Sequence, residues 1–579
     1  MMSYICEICG EKNEEGKTCS CVLAELKEQL KIRNKKYLLR QRIKPDILEH
    51  LLTSRGIEES LEDFTKIDFM ELYEDRLLNQ EEAARRIITA IATKEKIAIY
   101  GDYDCDGITG TTMGINLLKA MGADVTHYIN DRFVDGFGIN PKGVEALAKE
   151  GAKLIVTVDN GIAGVQGVER AKELGIEVIV TDHHEPNEFL PDCLIVDPKQ
   201  EGCPSKNKEI TGVGVLYKVL LLVARHFEKE NAAKKEMDLV ALGTVADMGA
   251  LLGENRLLVR TGLMIFNLEK GKYGIRCLID KLKIRKPVGV YELGFIFGPI
   301  LNAESRLEGK PTRSITLLTS NNPQEIEKAA DELIDLNVKR KAMLEEQLLI
   351  GDQRVEPDKD FFFIWDDRIA EGIAGLVASR ILETYRRPTI VLGRTKEGLY
   401  KGSGRSIGSF DLKKALDKNN KLLVSYGGHK LACGLTIEAE NILPVKSFLE
   451  TEGKMKLGGQ EPVLEVLIDC EIDLSELTQE LTERIGGLEP YGIGFKKPLF
   501  LIRGLRAEGV RVMGGSHSKF SQAGIDFIAF GTVLEEGTTG HGLGYPQINQ
   551  YNGRSTVQFV LSEIIGEDQE ICAYGTSKE

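Results

Sequence analysis

The stretch that most constrains the fold is residues 96–120, with the sequence KIAIYGDYDCDGITGTTMGINLLKA. It opens with an apolar run that is typical of a buried strand and that ends at Gly101, and it closes with the apolar spacing of a helix. Between them stand three carboxylates, Asp102, Asp104 and Asp106. A strand, a short loop and a helix in this order place the loop at the carboxyl end of the strand, which is the usual ligand edge of an open α/β sheet.

Three carboxylates this close together repel one another and need compensation. A hard divalent cation with oxygen ligands would supply it. The alternative is an acidic turn, or a set of helix caps, without a metal. The remainder of the chain distinguishes these two interpretations.

Acidic and histidine residues recur at later predicted strand ends. AKLIVTVDNGIAG predicts a strand that ends at Asp159, and GIEVIVTDHHEP predicts a strand that ends at Asp182, His183 and His184. Asp247 follows the small-residue helical stretch LVALGTVA. Because strands alternate with helical segments, we expect a doubly wound, mainly parallel sheet that gathers these side chains at one edge. Aspartates with one or two imidazoles suit Mn²⁺ or Mg²⁺ better than a thiolate-type zinc site.

The motifs YGDYDCDG, VTVDNG, TDHH and GTVAD, in this order, resemble those of the DHH phosphoesterase superfamily. With DGFGIN, GPILNAESR, SGRS and GGHKLACG added, the chain resembles the RecJ type of this superfamily over roughly residues 85–565. RecJ-type proteins are 5′→3′ exonucleases specific for single-stranded DNA. The resemblance therefore implies release of mononucleotides from single-stranded DNA in recombination, repair or replication.

The resemblance also implies a catalytic site with two metal ions. Its implied metal ligands are Asp102, Asp104, Asp106, Asp159, His183 and Asp247. Among these, Asp159 would bridge the ions, while the further catalytic residue His184 would face the scissile phosphate and Asp182 would orient an imidazole. Some relatives carry a histidine where this chain has Tyr100, and a phenol is a poorer ligand than an imidazole. We therefore expect the first ion to be held more weakly and the activity to depend on Mn²⁺.

Two such cations, about 3.5–4 Å apart, can activate a water and stabilise the leaving oxygen of a phosphodiester. This chemistry needs no serine or cysteine nucleophile. The sequence GDYDCDGITG also lacks the GxxxxGK[ST] pattern of a phosphate-binding loop, so ATP is not implied.

Other motifs supply candidate substrate-binding residues. Arginine donates bidentately to phosphate, and glycines let the backbone approach phosphate closely. Read singly, these motifs would indicate an exposed arginine or an ordinary turn, and the family order favours the functional interpretation. The predicted substrate-binding residues are Asn160, Asn302, Arg306, Ser403, Arg405, Ser406, Gly428 and His429.

At 579 residues the chain is too long for one hydrophobic core. We expect an α/β multidomain protein made of a candidate zinc knuckle (1–22), a helical N-terminal segment (23–85), a DHH catalytic domain (86–310), a long connecting helix (311–352), a smaller α/β DHHA1 domain (353–455), an OB-like nucleic-acid-binding β-barrel (456–566) and a tail (567–579). Single strands bind OB folds through cations and aromatic platforms. Candidates for these roles are Lys496, Lys497, Arg503, Arg506, Arg511, Lys519, Tyr491 and Phe520, although some of the aromatics must fill the barrel core.

Four of the eleven cysteines crowd the first 21 residues: Cys6, Cys9, Cys19 and Cys21. Their spacing predicts a structural Zn²⁺ site that supplies folding energy to a segment without a core of its own. The alternative is four incidental thiols. The other seven cysteines are scattered singly, and without a secretion signal we expect them to be reduced.

The formal net charge of −14 argues against a DNA coat protein but not against local basic grooves. No apolar run is long enough to span a bilayer and no signal peptide is recognisable, so we expect a cytoplasmic monomer. Single-stranded DNA is the expected partner, with single-strand-binding protein or other replication and repair proteins as candidates. Two alternatives remain: a phosphodiesterase for short RNA or cyclic dinucleotides, and a non-catalytic nucleic-acid-binding replisome scaffold.

Overall fold

A computed structural model describes residues 3–5, 12–14, 34–268, 271–459, 463–551 and 554–574. The chain divides into two compact units. The first comprises Met1–Leu38, Val338–Leu467 and Glu570–Tyr574, and the second comprises Leu39–Asn337, Ile468–Gln569 and Gly575–Glu579. The four cysteines of the predicted zinc knuckle lie outside the described residues, so that site stays a prediction.

The N-terminal part of the chain contains strands as well as helices, and one of these strands, β3, lies in residues 23–85, which we expected to be helical. Its elements are β1 (Ser3–Ile5), β2 (Lys12–Glu14), β3 (Asn34–Arg40), α1 (Ile47–Ser54), α2 (Leu61–Thr65), α3 (Glu71–Glu74) and α4 (Gln80–Ala92). Strand β1 pairs antiparallel with β2. Strand β3 lies between two strands from the other end of the chain, Val463–Ile468 and Ile571–Tyr574. Partners so distant in sequence leave no local signal, and this is why the strand was missed.

The expected parallel sheet is confirmed. Its strands are β4 (Ile97–Gly101), β5 (Val125–Ile129), β6 (Leu154–Val158), β7 (Glu177–Thr181) and β8 (Leu194–Val196), in the order β5-β4-β6-β7-β8, and every pairing is parallel. The connecting helices are α5 (Cys105–Ala120), α6 (Pro141–Lys149) and α7 (Val165–Glu173). Strands β4 and β6 are buried on both faces, as a doubly wound sheet requires. Successive residues of β4 lie on opposite faces of the sheet, so Ile99 and Tyr100 belong to two separate hydrophobic clusters.

A helical layer follows the sheet. It consists of α8 (Gly212–His226), α9 (Glu230–Lys235), α10 (Met237–Ala246), α11 (Gly253–Asn267), α12 (Tyr273–Lys281), α13 (Val290–Glu292), a π-helical turn (Leu293–Phe297), α14 (Gly298–Glu308) and α15 (Thr312–Thr319). Helix α10 is buried along residues 237–245, because its apolar residues surround the whole helix. The long helix α16 (Pro323–Gln353) comes next, and it begins later than the connecting helix that we expected over residues 311–352, because Thr312–Thr319 forms the separate α15.

The first unit contains a five-stranded mixed sheet. Its strands are β9 (Phe362–Trp365), β10 (Thr389–Arg394), β11 (Tyr400–Arg405), β12 (Leu423–His429) and β13 (Ala432–Ile437), in the order β12-β13-β11-β10-β9. Only the β9–β10 pair is parallel among these described strands. The associated helices are α17 (Glu371–Tyr385), α18 (Leu412–Asp417) and α19 (Ile442–Leu457), and β14 (Val463–Ile468) follows them.

The C-terminal part forms a seven-stranded sheet within the second unit. Its strands are β15 (Cys470–Glu471), β16 (Phe500–Arg506), β17 (Arg511–Met513), β18 (His517–Gln522), β19 (Ile525–Ala529), β20 (Thr539–Tyr551) and β21 (Arg554–Ile565), and the helix α20 (Gln479–Gly487) lies between β15 and β16 in the chain. The last strand, β22 (Ile571–Tyr574), does not belong to this sheet and pairs with β3. The order is β15-β16-β20-β21-β19-β18-β17.

Two aromatic residues of this region that we expected to contact DNA serve the core instead. Phe520 is 2% exposed, and its ring stacks on that of Phe527 with a centroid distance of 5.0 Å. The Tyr491 ring stacks on Phe495, and its hydroxyl donates to the carbonyl of Ile485. Both side chains belong to or pack against one hydrophobic cluster, and filling that core takes precedence here.

Arg256 of α11 joins three parts of the second unit. Only 4% of it is exposed, and its guanidinium lies 4.0 Å from the ring centroid of Phe64 and 5.2 Å from that of Phe495. It donates to the carbonyls of Leu488 at 2.7 Å and Pro490 at 2.9 Å. Burial lowers its pKa to about 10, so the guanidinium stays charged at neutral pH. One cation thus ties the N-terminal helices, the helical layer and the loop before β16.

We predict that Arg256→Met lowers the free energy of unfolding of the second unit by about 2–4 kcal/mol, because two buried carbonyls lose a charged donor. Urea denaturation followed by circular dichroism measures this loss. The control is Arg85→Met, which removes an exposed arginine from α4 and should change stability by less than about 0.5 kcal/mol. Equal midpoints for the two variants would contradict the assigned role.

Candidate metal centre

Asp104 and Asp106 are fixed by the beginnings of two helices. The Asp104 carboxylate caps α5 and accepts from the backbone amides of Asp106 at 2.9 Å and Gly107 at 3.3 Å. Asp106 is buried in the first turn of α5, and its carboxylate accepts from the amides of Gly212 at 2.7 Å and Val213 at 3.0 Å, where α8 begins. Helix N-termini stabilise anions, so this carboxylate is held in place before any cation arrives.

Glycines make room for this arrangement. A Cβ at Gly212 would lie 2.6 Å from the Asp159 Cα and 3.0 Å from the Asp106 Oδ2. A Cβ at Gly243 of α10 would lie 2.9 Å from the Asp106 Oδ1. Helices α8 and α10 can approach the carboxylates only because both positions lack a side chain.

Asp159 follows β6 in the left-handed region, with φ at +61°. Aspartate tolerates this conformation better than most residues. Its side chain is buried, and its Oδ1 lies 3.1 Å from the His183 Nε2. The strained backbone directs the carboxylate towards the residues that follow β7.

His183 is the point at which three carboxylates converge. Its Nε2 lies 3.1 Å from Asp159 Oδ1, 3.6 Å from Asp247 Oδ2 and 3.9 Å from Asp106 Oδ2. Asp247 reaches this position as the C-terminal cap of α10. Burial, and then the charge of His184, lower the pKa of His183 to about 3. The imidazole is therefore neutral, the form that binds metals.

His184 is paired with Asp182. The two are joined by a hydrogen bond of 2.7 Å from His184 Nδ1 to Asp182 Oδ1, and Asp182 also accepts from the amide of Ile162. Burial alone would lower the pKa of His184, but the hydrogen bond to Asp182 and its charge raise that pKa to about 9. Burial would likewise raise the pKa of Asp182, and the His184 hydrogen bond and charge hold it below its usual value. This geometry agrees with the predicted orienting role of Asp182.

The donor set fits divalent cations. Three groups have ligand atoms that lie within 4.8 Å of one another: Asp102, Asp104 and Asp159; Asp106, His183 and Asp247; Asp159, His183 and His184. The Asp102 Oδ1 is buried without a hydrogen-bond partner among the described residues. Oxygen donors with one or two imidazoles are the set that Mn²⁺ and Mg²⁺ accept. Asp159 belongs to two of the groups, as a bridging ligand would.

Without cations these carboxylates cannot all ionise. Burial, and then the charges of neighbouring carboxylates, raise the pKa of Asp102, Asp159 and Asp247 well above its usual value. Burial and the charge of Asp104 raise the pKa of Asp106 to about 7. Protonation of some carboxylates relieves this repulsion, and bound divalent cations would relieve it in place of the protons.

Tyr100 does not stand among the ligands. It is fully buried, and its hydroxyl donates to Asn130 Oδ1 at 2.6 Å and accepts from Asn140 Nδ2 at 3.0 Å. The phenol thus braces the strand ends from the face of β4 that carries α6 and α7. The prediction that Tyr100 weakens the first metal site therefore lacks a direct contact to support it.

Asn160, Asn302 and Arg306 differ in their placement. Asn160 is fully buried, and its amide donates to the carbonyls of Tyr100 at 3.1 Å and Val158 at 2.9 Å. Because this amide ties β4 to β6, the structure contradicts the predicted direct contact of Asn160 with substrate. Asn302 and Arg306 lie half-buried on α14, and the charge of Arg306 acts on Tyr103, which lies in the acidic loop between Asp102 and Asp104.

Arg132 is a site residue that the sequence did not reveal. Its guanidinium lies 4.9 Å from the ring centroid of Tyr103, and its charge opposes the rise in the pKa of Asp102. Phe137, also missed, places its ring 5.3 Å from that of His184. Both belong to the loop after β5, where the motif DGFGIN was the available signal.

The first unit holds the other predicted substrate-binding residues. Arg405 and His429 face Ala432 from the two strands that flank β13, so the sheet brings them to one end. The Arg405 guanidinium donates to the Ser403 hydroxyl, which donates to the carbonyl of Cys433. Gly428 adopts φ +123°, a conformation that favours glycine.

Ser406, which we also predicted to bind substrate, has a structural role instead. Its side chain is buried, and its hydroxyl donates to the carbonyl of Phe410 at 2.7 Å. That bond holds the turn after β11, so the serine supports the strand end rather than facing a substrate.

We predict that Gly243→Ala weakens Mn²⁺ binding about 10-fold or more, because the added methyl group would lie within 3 Å of Thr109, Val213 and the Asp106 carboxylate and would displace them. Isothermal titration calorimetry of the full chain measures the affinity. Gly486→Ala is the matched control, since a Cβ at that helical position meets no atom within 4 Å. Unchanged affinity in Gly243→Ala would show that Asp106 does not bind the ion.

Three family models match the chain. They are the DHH family N-terminal domain at residues 96–244, the DHHA1 domain at residues 358–452 and the RecJ OB domain at residues 468–563. No helix in the described ranges is both long and apolar enough to cross a membrane.

Known relatives agree with these models. The chain is 34% identical to the single-stranded-DNA-specific exonuclease RecJ of Bacillus subtilis over 540 residues, which is 89% of this chain and 67% of the relative. It is 32% identical to RecJ of Escherichia coli, covering 90% of this chain and 96% of the relative. Among solved structures, RecJ of Thermus thermophilus in complex with Mn²⁺ matches with a TM-score of 0.79 and 27% identity, over 94% of this chain and 81% of that one. The resemblance predicted from the motifs is thereby confirmed, and the chain belongs to the RecJ family.

Proposed function

We propose that the chain hydrolyses phosphodiester bonds of single-stranded DNA with two divalent cations, and that it releases mononucleotides from the 5′ end. The observation that carries this proposal is the convergence of Asp106, Asp159 and Asp247 on the neutral His183, at the edge where parallel strands end. The relatives are named single-stranded-DNA-specific exonucleases, and solved relatives hold Mn²⁺ or Mg²⁺.

The cations would be held by Asp102, Asp104, Asp106, Asp159, His183 and Asp247. When bound, they supply Lewis-acid activation of water and stabilise charge on the phosphate. The chain's own contribution is a set of ligands whose orientation is fixed by two helix N-termini, a strained backbone and the C-terminal end of the helix α10. Preorganisation of this kind avoids reorganisation cost during the reaction.

His184 and two arginines would handle the substrate phosphate. The pairing with Asp182 keeps His184 protonated, so its imidazolium can donate to a phosphate oxygen as negative charge develops. The Arg132 guanidinium lies 4.9 Å from the Tyr103 ring centroid, and the charge of Arg306 also acts on Tyr103, so both arginines would compensate phosphate charge near the acidic loop. In the first unit, Ser403, Arg405 and His429 remain the candidate phosphate-binding residues.

We predict that His184→Gln lowers kcat about 100- to 1000-fold, because a charged donor to the phosphate is lost. Mn²⁺ affinity should change by less than about 3-fold, since six other side chains hold the ions. Steady-state cleavage of labelled single strands and Mn²⁺ titration give the two readouts. The control His226→Gln alters a histidine at the last turn of α8. Activity of His184→Gln near that of the control would contradict the assigned role.

The function itself is tested by digesting 5′-labelled and 3′-labelled single strands with Mn²⁺, using wild type and Asp159→Ala. We expect mononucleotides from the 5′ end with wild type, and none with the variant, because Asp159 belongs to two of the three ligand groups. Cleavage confined to dinucleotides would instead select a phosphodiesterase for short substrates. No metal-dependent cleavage of any strand would select a binding scaffold.

The physiological setting belongs to the proposal as well. We place the activity in recombination, repair or replication in the cytoplasm, with the chain acting as a monomer. Single-strand-binding protein and other replication proteins remain predicted partners. The structural Zn²⁺ at the N-terminus also stays a prediction.

A further inference from the structure

An exposed pair of aromatic rings stands on the helical layer of the second unit. Tyr291 is 61% exposed and Phe295 is 69% exposed. Their ring centroids are 5.2 Å apart and their planes differ by 22°, so the two rings stack. We call this pair the aromatic platform.

The platform is not an incidental part of the core. The same turn of chain buries Leu293 and Phe297 completely, and Phe297 stacks on Phe266. The inward face of this segment is therefore already occupied. Two large adjacent aromatics left in water cost hydrophobic free energy, and such patches commonly mark an interaction site.

The segment that carries the platform packs on the end of α10, which precedes the ligand Asp247, and on the loop before β16. A Cβ at Gly294 would lie 3.3 Å from the Val245 side chain, and one at Gly298 would lie 3.0 Å from Ala246, the residue before Asp247. At the other end, a Cβ at Gly492 would lie 3.6 Å from Val290. The segment that carries the rings thus bridges the last turn of α10 and the loop that leads to β16.

Basic residues precede the platform. The stretch KLKIRK, residues 281–286, carries four cations and no acidic residue. Lys281 pairs with Asp331, while Lys286 pairs with Glu292 and lies 5.6 Å from the Tyr291 ring centroid. Lys283 and Arg285 are exposed and form no ion pair with any described residue.

We propose that the aromatic platform and the cations of residues 281–286 form a binding site for single-stranded DNA, holding the part of the strand that extends away from the metal centre. Exposed aromatics stack on bases of any sequence, and nearby cations neutralise the backbone. The platform lies beside the helix that ends at the ligand Asp247, so a strand is the occupant that this position favours. This inference rests on the proposed function and adds a second contact region to it.

The test compares three variants of the full chain: Tyr291→Ala with Phe295→Ala, Tyr291→Phe with Phe295→Tyr, and Tyr291→Leu with Phe295→Leu. Fluorescence anisotropy with oligothymidine of about 20 nucleotides, in EDTA to prevent cleavage, measures affinity. We expect the alanine and leucine pairs to weaken binding about 10- to 100-fold and the aromatic swap to change it less than about 3-fold. Stacking on a base requires an aromatic ring, whereas apolar packing does not, so the leucine pair distinguishes stacking from apolar packing.

Further measurements test where on the protein the strand binds and how much the cations contribute to its affinity. Tyr273→Ala, which removes an exposed tyrosine from the start of α12, is the control and should bind as wild type. In Lys283→Gln with Arg285→Gln, the slope of log affinity against log salt should fall by about 0.7 for each cation. 2-Aminopurine placed along the strand should be quenched at an internal position in wild type and not in the alanine pair.

Two outcomes would overturn the inference: wild-type affinity in the alanine pair, or equal affinity in the leucine and aromatic pairs. In either case the exposed rings would be left for a protein partner. Failure of the proposed function shows differently, as wild-type chain that does not cleave single strands with Mn²⁺. The two failures are therefore distinguishable.

Discussion

Mutual repulsion among buried carboxylates is the constraint on which this structure depends. Asp102, Asp106 and Asp159 are nearly inaccessible to water, and Asp104 and Asp247 stand beside them. A fold can keep such groups together only by fixing each one separately, through helix N-termini for Asp106 and a left-handed backbone for Asp159. Without cations, the buried carboxylates at this edge of the sheet lower the stability of the fold, because their charges are not neutralised.

The rest of the second unit supplies the rigidity. Helix α10 is buried along its length, so its C-terminal cap, Asp247, is placed accurately although it lies far in sequence from the first motif. Arg256, one helix later, connects this layer to the loop before β16. The metal centre and the C-terminal sheet are thus parts of one compact unit, and the segment that carries the aromatic platform lies against both α10 and the loop before β16.

The sequence predicted the site correctly where residue types that bind metals stand next to a recognisable strand or helix pattern. Asp104 and Asp106 follow an apolar run and precede a helical one, so their position at a strand end could be predicted, as could Asp159 and His183. It failed where the partner is distant: nothing near β3 indicates its pairing with strands at the other end of the chain. Asn160, Ser406 and Phe520 have residue types suited to binding, but tertiary burial assigns them to structure. Arg132 lies in a loop without periodicity, and only the folded chain brings it to Asp102.

The most direct test of the central claim is anomalous diffraction from crystals of the full chain grown with Mn²⁺. We expect two anomalous peaks about 3.5–4 Å apart, one on each side of the Asp159 carboxylate, with His183 and Asp247 at one of them. A single peak, or peaks that do not share Asp159, would contradict a bridged two-metal centre.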